Sequence, residues 1–424
     1  MTAAAPNPLY GKITRRIVPF LMLLYMVAFL DRVNISFAAL TMNRDLGISE
    51  TIYGFAAGVF FLSYCLFQVP ANMTLARFGA RRWLAIMMIL WGIDCMATAF
   101  VAGAPSYIAA RLILGIAESG FYPGIIFYFT FWLPPSARTR VLAIFLLSLP
   151  LCNSIGSPIS AHILLLDHVL SLKGWQWLFL IEGAPAILLG IVSWFVLTDT
   201  PQSAAWLSAS EKAQLAHDIR AEHPIQPPRT GHIVSSVIRD SAAYFLWSSG
   251  NYGLIFFLPK ILAARGASPH ATGWWATLTF GMGALSMYVA SRSRSFRSLP
   301  LLFLVAGLGF AAVGLVHSLP GALAGFCVAA IGLMASVPIF WSLAASRLSG
   351  KAAGAAIAIV NSVGAVGAFC GPYAMGWLRD ATHTYATGLW AIATCLALGA
   401  ILVLADARTT RNNQTQGDLV DERA

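Results

Sequence analysis

"IVPFLMLLYMVAFLDRVNIS", residues 17–36, is the stretch that decides the fold. It is apolar almost throughout until Asp31 and Arg32 stand side by side. About 20 apolar residues suffice to cross a bilayer as a helix, and span-like sequence continues past the charges to about residue 41. A charge near the bilayer centre costs at least about 2.5–3.5 kcal/mol, so something must offset this pair. Lys12, Arg15 and Arg16 ahead of the run imitate the start of a secretory signal. The run passes into Asp31-Arg32-Val33-Asn34 rather than a small-residue cleavage site, so it reads as a retained first helix.

The rest of the chain agrees. Of 424 residues, 58% are hydrophobic and only 10% charged, whereas a soluble domain carries about 25% charged residues. The composition excludes a water-wrapped globule and implies an all-α polytopic membrane protein. The same length criterion predicts spans at 17–41, 52–72, 83–103, 106–133, 141–165 and 177–197, then 241–262, 271–291, 299–317, 320–343, 353–377 and 387–405. This gives two six-helix bundles: residues 1–197, a cytoplasmic linker over 198–240, and residues 241–424. In the linker, Ser208 and Glu211 have capping-box spacing and predict a short helix over about 209–222, ended by Pro224, Pro227 and Pro228.

Orientation follows from the basic residues, which favour the cytoplasmic side. With the N-terminus inside, twenty Lys and Arg fall in cytoplasmic segments and five (Arg44, Lys173, Lys260, Arg265, Arg379) outside, with Arg32 and Arg111 in spans. Both termini are therefore expected in the cytoplasm. The net charge of +10 needs no nucleic-acid partner. The six cysteines are isolated, without CxxC or metal spacing, and no HExxH or GxSxG occurs. No disulfide framework, metal site, cofactor or enzyme constellation is predicted.

A slide of 215 residues brings Arg82 onto Arg297, Pro123 onto Pro338 and, within one residue, Pro158 onto Pro372. Two degenerate repeats related by an axis along the membrane normal are a transporter arrangement, with the substrate site near the midplane at the repeat interface.

The fourth span, "RLILGIAESGFYPG" (111–124), carries Arg111 and Glu118 on one helix face, about 10 Å apart along the axis. Pairing alone would account for the charges, but a purely structural ion pair is replaceable by apolar packing at little cost. Ionisable groups within spans are functional candidates by default. Arginine keeps its charge and offers a planar fork to a carboxylate, while a carboxylic acid in poorly hydrated surroundings holds a proton more readily than in water. Arg32 and Arg111 are therefore the expected anion receptors and Glu118 the proton carrier, with Asp31 orienting Arg32 or carrying a second proton. The repeat offset sets Phe326 and Leu333 opposite Arg111 and Glu118, so the second half would supply neutral contacts: Asn251, Tyr252 and Asn361. Tyr64 and Asn153 are further candidates. Asp94 reads first as a local structural hydrogen bond and second as another proton site. Asp167, Glu182, Asp240, Arg379 and Asp380 fall at span ends and read as interfacial.

"LDRVNIS" (30–36), "RFGARR" (77–82), "RLILGIAESGFYPG", "GWQWLFLIEGAPAILLG" (174–190) and "LTDTPQSAAWLSASEK" (197–212) resemble the anion:cation symporter family of the major facilitator superfamily. The last two are similar to its bacterial tartrate and hydroxyphenylacetate permeases. The resemblance covers about residues 15–405. It implies proton-driven import of organic anions by alternating access, with Asp31, Arg32, Arg111 and Glu118 at the binding and coupling positions and Tyr64 and Asn361 at substrate-contacting ones. It implies a monomer and no cofactor. The superfamily's cytoplasmic motif G-x-x-x-D-R-x-G-x-R-R reads "NMTLARFGARR" here: Arg77, Gly79, Arg81 and Arg82 stand, but Asn72 and Ala76 replace the glycine and the acid. The sequence also leaves open an exporter or antiporter of organic acids and a transporter-like sensor.

Overall fold

A computed structural model gives the structure of the chain and describes residues 8–146, 148–221, 233–292, 298–347 and 351–421. Among them every regular element is helical. The helices are α1 (Pro8–Asp45), α2 (Glu50–Phe78), α3 (Ala80–Thr98), α4 (Ala104–Glu118), α5 (Phe121–Trp132), α6 (Pro135–Leu146), α7 (Ser148–Ile163), α8 (Gly174–Val196) and α9 (Ala209–Ala221). There follow α10 (Ile233–Ala264), α11 (Pro269–Ser291), α12 (Leu299–Leu315), α13 (Leu319–Arg347), α14 (Lys351–Thr382) and α15 (Ala386–Asp421). Each expected span falls on one of these helices or on a consecutive pair, and among the described residues seven segments are long and apolar enough to cross a membrane by length and composition. Pro224, Pro227, Pro228, Arg294 and Arg297 lie outside the described residues.

One expected span is broken. Residues 106–133 form α4 and α5, interrupted at Ser119–Gly120, because Pro123 has no N–H to return to the Ser119 carbonyl. Trp83 of α3 donates its indole N–H to the Gly120 carbonyl at 3.2 Å, and a Cβ on Gly120 would lie 2.5 Å from that nitrogen. The break thus ends α4 on Glu118. The fifth span falls on α6 and α7, on either side of residue 147, which lies outside the described residues.

The chain forms two compact units, Met1–Gly47 with Val59–Ile225, and Ile48–Gly58 with Gln226–Ala424. In the first, α3 packs most extensively on α8, and α1 packs on α7 and α8. Small residues let α3 and α8 approach closely: a Cβ on Gly183 would lie 3.0 Å from the Gly92 carbonyl oxygen, and the reverse is equally tight. The linker helix α9 belongs to this unit. Its capping box forms, with Ser208 N–H donating to Glu211 Oε2 at 2.8 Å and Glu211 N–H to Ser208 Oγ at 3.2 Å. Lys12 of α1 reaches Glu211 at 2.9 Å and the Tyr10 hydroxyl donates to Asp218 at 2.6 Å, tying α9 to the start of α1.

In the second unit α10 packs on α14, and α12 on α13 and α15. The first turns of α2 group with it. Asp380 caps them, accepting from Thr51 N–H at 2.8 Å and Thr51 Oγ1 at 2.6 Å, and Lys260 of α10 pairs with Glu50 at 2.7 Å. Gly54 of α2 lies against the Pro372 carbonyl with no room for a side chain. Three charged groups expected at span ends or outside are buried instead: Glu182, Asp240 and Lys260. Helix packing, rather than depth in the sequence, covers them.

Candidate functional site

Charged side chains of α1 and α4 meet in the interior of the first unit. Arg32 Nη2 donates to Glu118 Oε2 at 2.9 Å, and both side chains are nearly buried. Four rings surround the Arg32 guanidinium: Phe29 at 4.7 Å, Phe60 at 5.0 Å, Tyr64 at 5.6 Å and Phe61 at 5.8 Å from their centroids. Such rings attract a cation through their quadrupole while offering it no hydrogen-bond acceptor.

Arg111 differs. It is 3% exposed, lies 5.1 Å over the Phe60 ring and has no carboxylate within ion-pair distance among the described residues. Its Nε and Nη2 are buried without an acceptor. These two nitrogens form one edge of the guanidinium, the fork that grips a carboxylate through two parallel hydrogen bonds. The partner of Glu118 is therefore the arginine of α1 and not the one seven residues back on its own helix.

Asp31 does not orient Arg32, contrary to the first sequence expectation for it. Its Oδ1 accepts from Cys95 Sγ at 2.8 Å and from Asn34 Nδ2 at 3.0 Å, and its Oδ2 is buried without a donor. The offset for the adjacent Asp31–Arg32 charges is thus not their mutual pairing. Asp94, read from sequence first as a local structural hydrogen bond and second as another proton site, has no side-chain hydrogen bond among the described residues, its Oδ2 is buried without a donor, and it lies within electrostatic reach of Arg111 and Glu118.

Tyr64 is half-buried beside Arg32, and Asn153 is buried with its amide donating to the Leu149 carbonyl at 3.2 Å. In the second unit Asn251 of α10 is buried with Oδ1 lacking a donor, Tyr252 stacks on Phe256 with centroids 6.1 Å apart, and Asn361 of α14 is half-buried.

At the turn between α2 and α3, Gly79 has φ +80°, which a side chain resists, and Arg77 and Arg82 are exposed. Asp199, just after α8, accepts from the Arg81 N–H at 3.0 Å and pairs with its side chain at 3.3 Å. The acid absent at position 76 is thus matched by one from "LTDT", which sequence reading passed over. Sequence reading also missed Asn34 and Cys95 as partners of Asp31. Asn34 lies three residues after Asp31, a spacing that puts both on one helix face.

The profile of the Major Facilitator Superfamily matches residues 21–372. The chain belongs to the Major Facilitator Superfamily. It is 43% identical over 413 residues to a protein of Agrobacterium vitis named "Putative tartrate transporter", covering 95% of each chain. It is 36% identical over 415 residues to "Putative metabolite transport protein NicT" of Pseudomonas putida, covering 94% of each. Among solved structures, a bacterial homologue of the human lysosomal transporter Spinster aligns with TM-score 0.76 at 19% identity, over 96% of this chain and 98% of that one. This Major Facilitator chain is therefore a multi-pass membrane transporter rather than an enzyme, and the fold expected from its sequence stands.

Proposed function

We propose that this transporter imports a small organic anion, a hydroxy, sugar or aromatic carboxylate, together with protons by alternating access. The observation that carries the reading is the unpartnered edge of Arg111. A buried guanidinium without an anion is unstable by several kcal/mol relative to its paired state, so the site is complete only with an anion bound. The two open donors lie on the edge suited to a carboxylate.

Glu118 supplies the coupling. Ionised, it holds Arg32 at 2.9 Å. Protonated, it no longer competes for that guanidinium, and Arg32 is released to a second oxygen of the substrate. Proton uptake and anion uptake then favour one another, because each removes a charge that the other would leave unpaired. The names of the Agrobacterium and Pseudomonas relatives support a carboxylate as the cargo. On this reading Tyr64, Asn251, Tyr252 and Asn361 are further substrate contacts and the Arg77–Arg82 turn is a gating element. The chain works as a monomer in the inner membrane with both termini cytoplasmic, as the twenty-to-five distribution of basic residues supports.

The test uses purified protein in proteoliposomes challenged with tartrate, aldonates, uronates and hydroxyphenyl or benzoic acids while external pH is followed. Alkalinisation with one acid, absent in Glu118→Gln, is expected. Acidification would mean antiport, and substrate uptake without any pH change would remove proton coupling.

A further inference from the structure

Arg111 is not alone on α4 in holding a buried donor without an acceptor. Tyr107 stands four residues before it, a spacing that puts both on one helix face. The Tyr107 side chain is fully buried, and its hydroxyl has no hydrogen-bond partner among the described residues. On α3, Asp94 is 8% exposed and its Oδ2 is buried without a donor. Residues 99–103 join the two helices, and α3 packs on α4. Asp94 lies four residues before the end of α3 and Tyr107 three after the start of α4. Both therefore sit about 5–6 Å in from the connecting loop at 1.5 Å per residue, with Arg111 one turn deeper. Asp94 and Tyr107 are each within electrostatic reach of Arg111.

Buried polar groups are normally satisfied. A tyrosine and an aspartate set at one depth for packing alone would satisfy each other, the phenol donating to the carboxylate. Here neither is satisfied, and the edge of Arg111 is open as well. A carboxylate completes the guanidinium. It cannot complete Asp94, because it has no hydrogen to give, and a second carboxylate in that place would face the first acid. A hydroxyl is neutral and both accepts and donates, so one O–H serves Tyr107 as acceptor and Asp94 as donor. Glu118, the other charge within reach of Asp94, is held by Arg32.

We propose that Tyr107 and Asp94 form a hydroxyl-reading subsite beside the open edge of Arg111, which selects acids with a hydroxyl next to the gripped carboxylate over the same acids without it. The proposal rests on the anion-import reading above and narrows its cargo to hydroxycarboxylates. Asp94 then contacts substrate instead of shuttling a proton.

Isothermal titration of the purified protein with matched acids tests it: malate against succinate, lactate against propionate, mandelate against phenylacetate, and gluconate against its 2-deoxy form. Each pair differs by one hydroxyl. The hydroxy acid is expected to bind about ten- to a hundredfold tighter than its partner. Tyr107→Phe removes an oxygen that makes no bond in the unliganded chain, so the fold should stand. It should weaken the hydroxy acid about three- to tenfold and leave its partner unchanged. Asp94→Asn should shrink the same preference. If Asp94 carried a proton instead, this variant would lose accumulation driven by a pH gradient while the preference stayed intact. Equal affinities within the pairs that bind, or a preference unmoved by Tyr107→Phe, overturn the proposal and leave the anion reading standing. If neither these acids nor the wider panel bind, the carboxylate reading fails and the subsite falls with it.

Discussion

Removing the charge of Arg111 should abolish anion binding while weakening the protein less than removing that of Arg32. The guanidinium contributes no ion pair and leaves Nε and Nη2 without acceptors, so Arg111→Gln breaks no side-chain bond of the unliganded chain. The charge it removes has no ion-pair partner among the described residues but lies within electrostatic reach of Asp94 and Glu118, so thermal stability in detergent should fall less than in Arg32→Gln. The loss falls on the bound state. Two hydrogen bonds between charged groups are worth about 1.5–3 kcal/mol each. Together they make about 3–6 kcal/mol, or roughly a hundred- to ten-thousand-fold in affinity at about 1.4 kcal/mol per factor of ten. Arg111→Lys keeps the charge and loses the fork, so it should fall short of full rescue. Arg32→Gln is the control: it strands Glu118 in the interior and should cost about 3–5 kcal/mol of stability. Isothermal titration of the carboxylate panel, with melting curves of the same samples, separates the two. If Arg111→Gln melts as early as Arg32→Gln while binding its acid with unchanged affinity, the guanidinium is structural and the reasoning fails.

Glu118→Gln should still exchange labelled substrate across the membrane but lose accumulation driven by a pH gradient; retained accumulation in proteoliposomes would remove Glu118 from the coupling step. Asp199→Ala removes both the cap on the Arg81 amide and its half-exposed ion pair, and should lower stability by about 0.5–2 kcal/mol in detergent melts, mostly through the cap. Gly183→Ala sets a Cβ 2.8 Å from Met96 Cγ and 3.0 Å from the Gly92 carbonyl oxygen, so about 1–3 kcal/mol of overpacking should appear in the same assay. Hydrogen bonding from Lys12 and from the Ser208 amide holds the Glu211 carboxyl below its ordinary value of 4.5. A lowered carboxyl stabilises docking of α9 above that ordinary value, and the contribution is lost as pH falls through the lowered one. Amide exchange across residues 211–221, corrected for intrinsic rates, should accelerate only below about pH 4.5.

The four charged residues of α1 and α4 were legible because an ionisable group in an apolar run has few structural reasons to be there. Their partnership was not. Arg111 and Glu118 share a face, but seven residues of helix separate them by about 10 Å along the axis, beyond hydrogen-bond reach, while α1 brings Arg32 within 2.9 Å. Which helix comes closest is a property of packing. The same holds for Glu182: eight residues after the start of α8 it reads as interfacial, and only the packing of α1, α3 and α7 on that helix makes it interior. The interruption after Glu118 did have a local signal in Pro123, but a continuous apolar run outweighed it. Asp199 is a different kind of miss, since its partner Arg81 lies 118 residues away in the chain.

The first turns of α2 have a consequence for biogenesis. Their cap, Asp380, lies 329 residues after Thr51, and the lysine that pairs with Glu50 is itself in α10. Ribosomes deliver α2 long before either partner exists. During synthesis Glu50 and the first amides of the helix must therefore be served by water or lipid headgroups, while the glycine face at Gly54 stands uncovered. Nascent chains halted before α14 should present this segment to chaperones and proteases, and its protection should mark the moment at which the second unit closes.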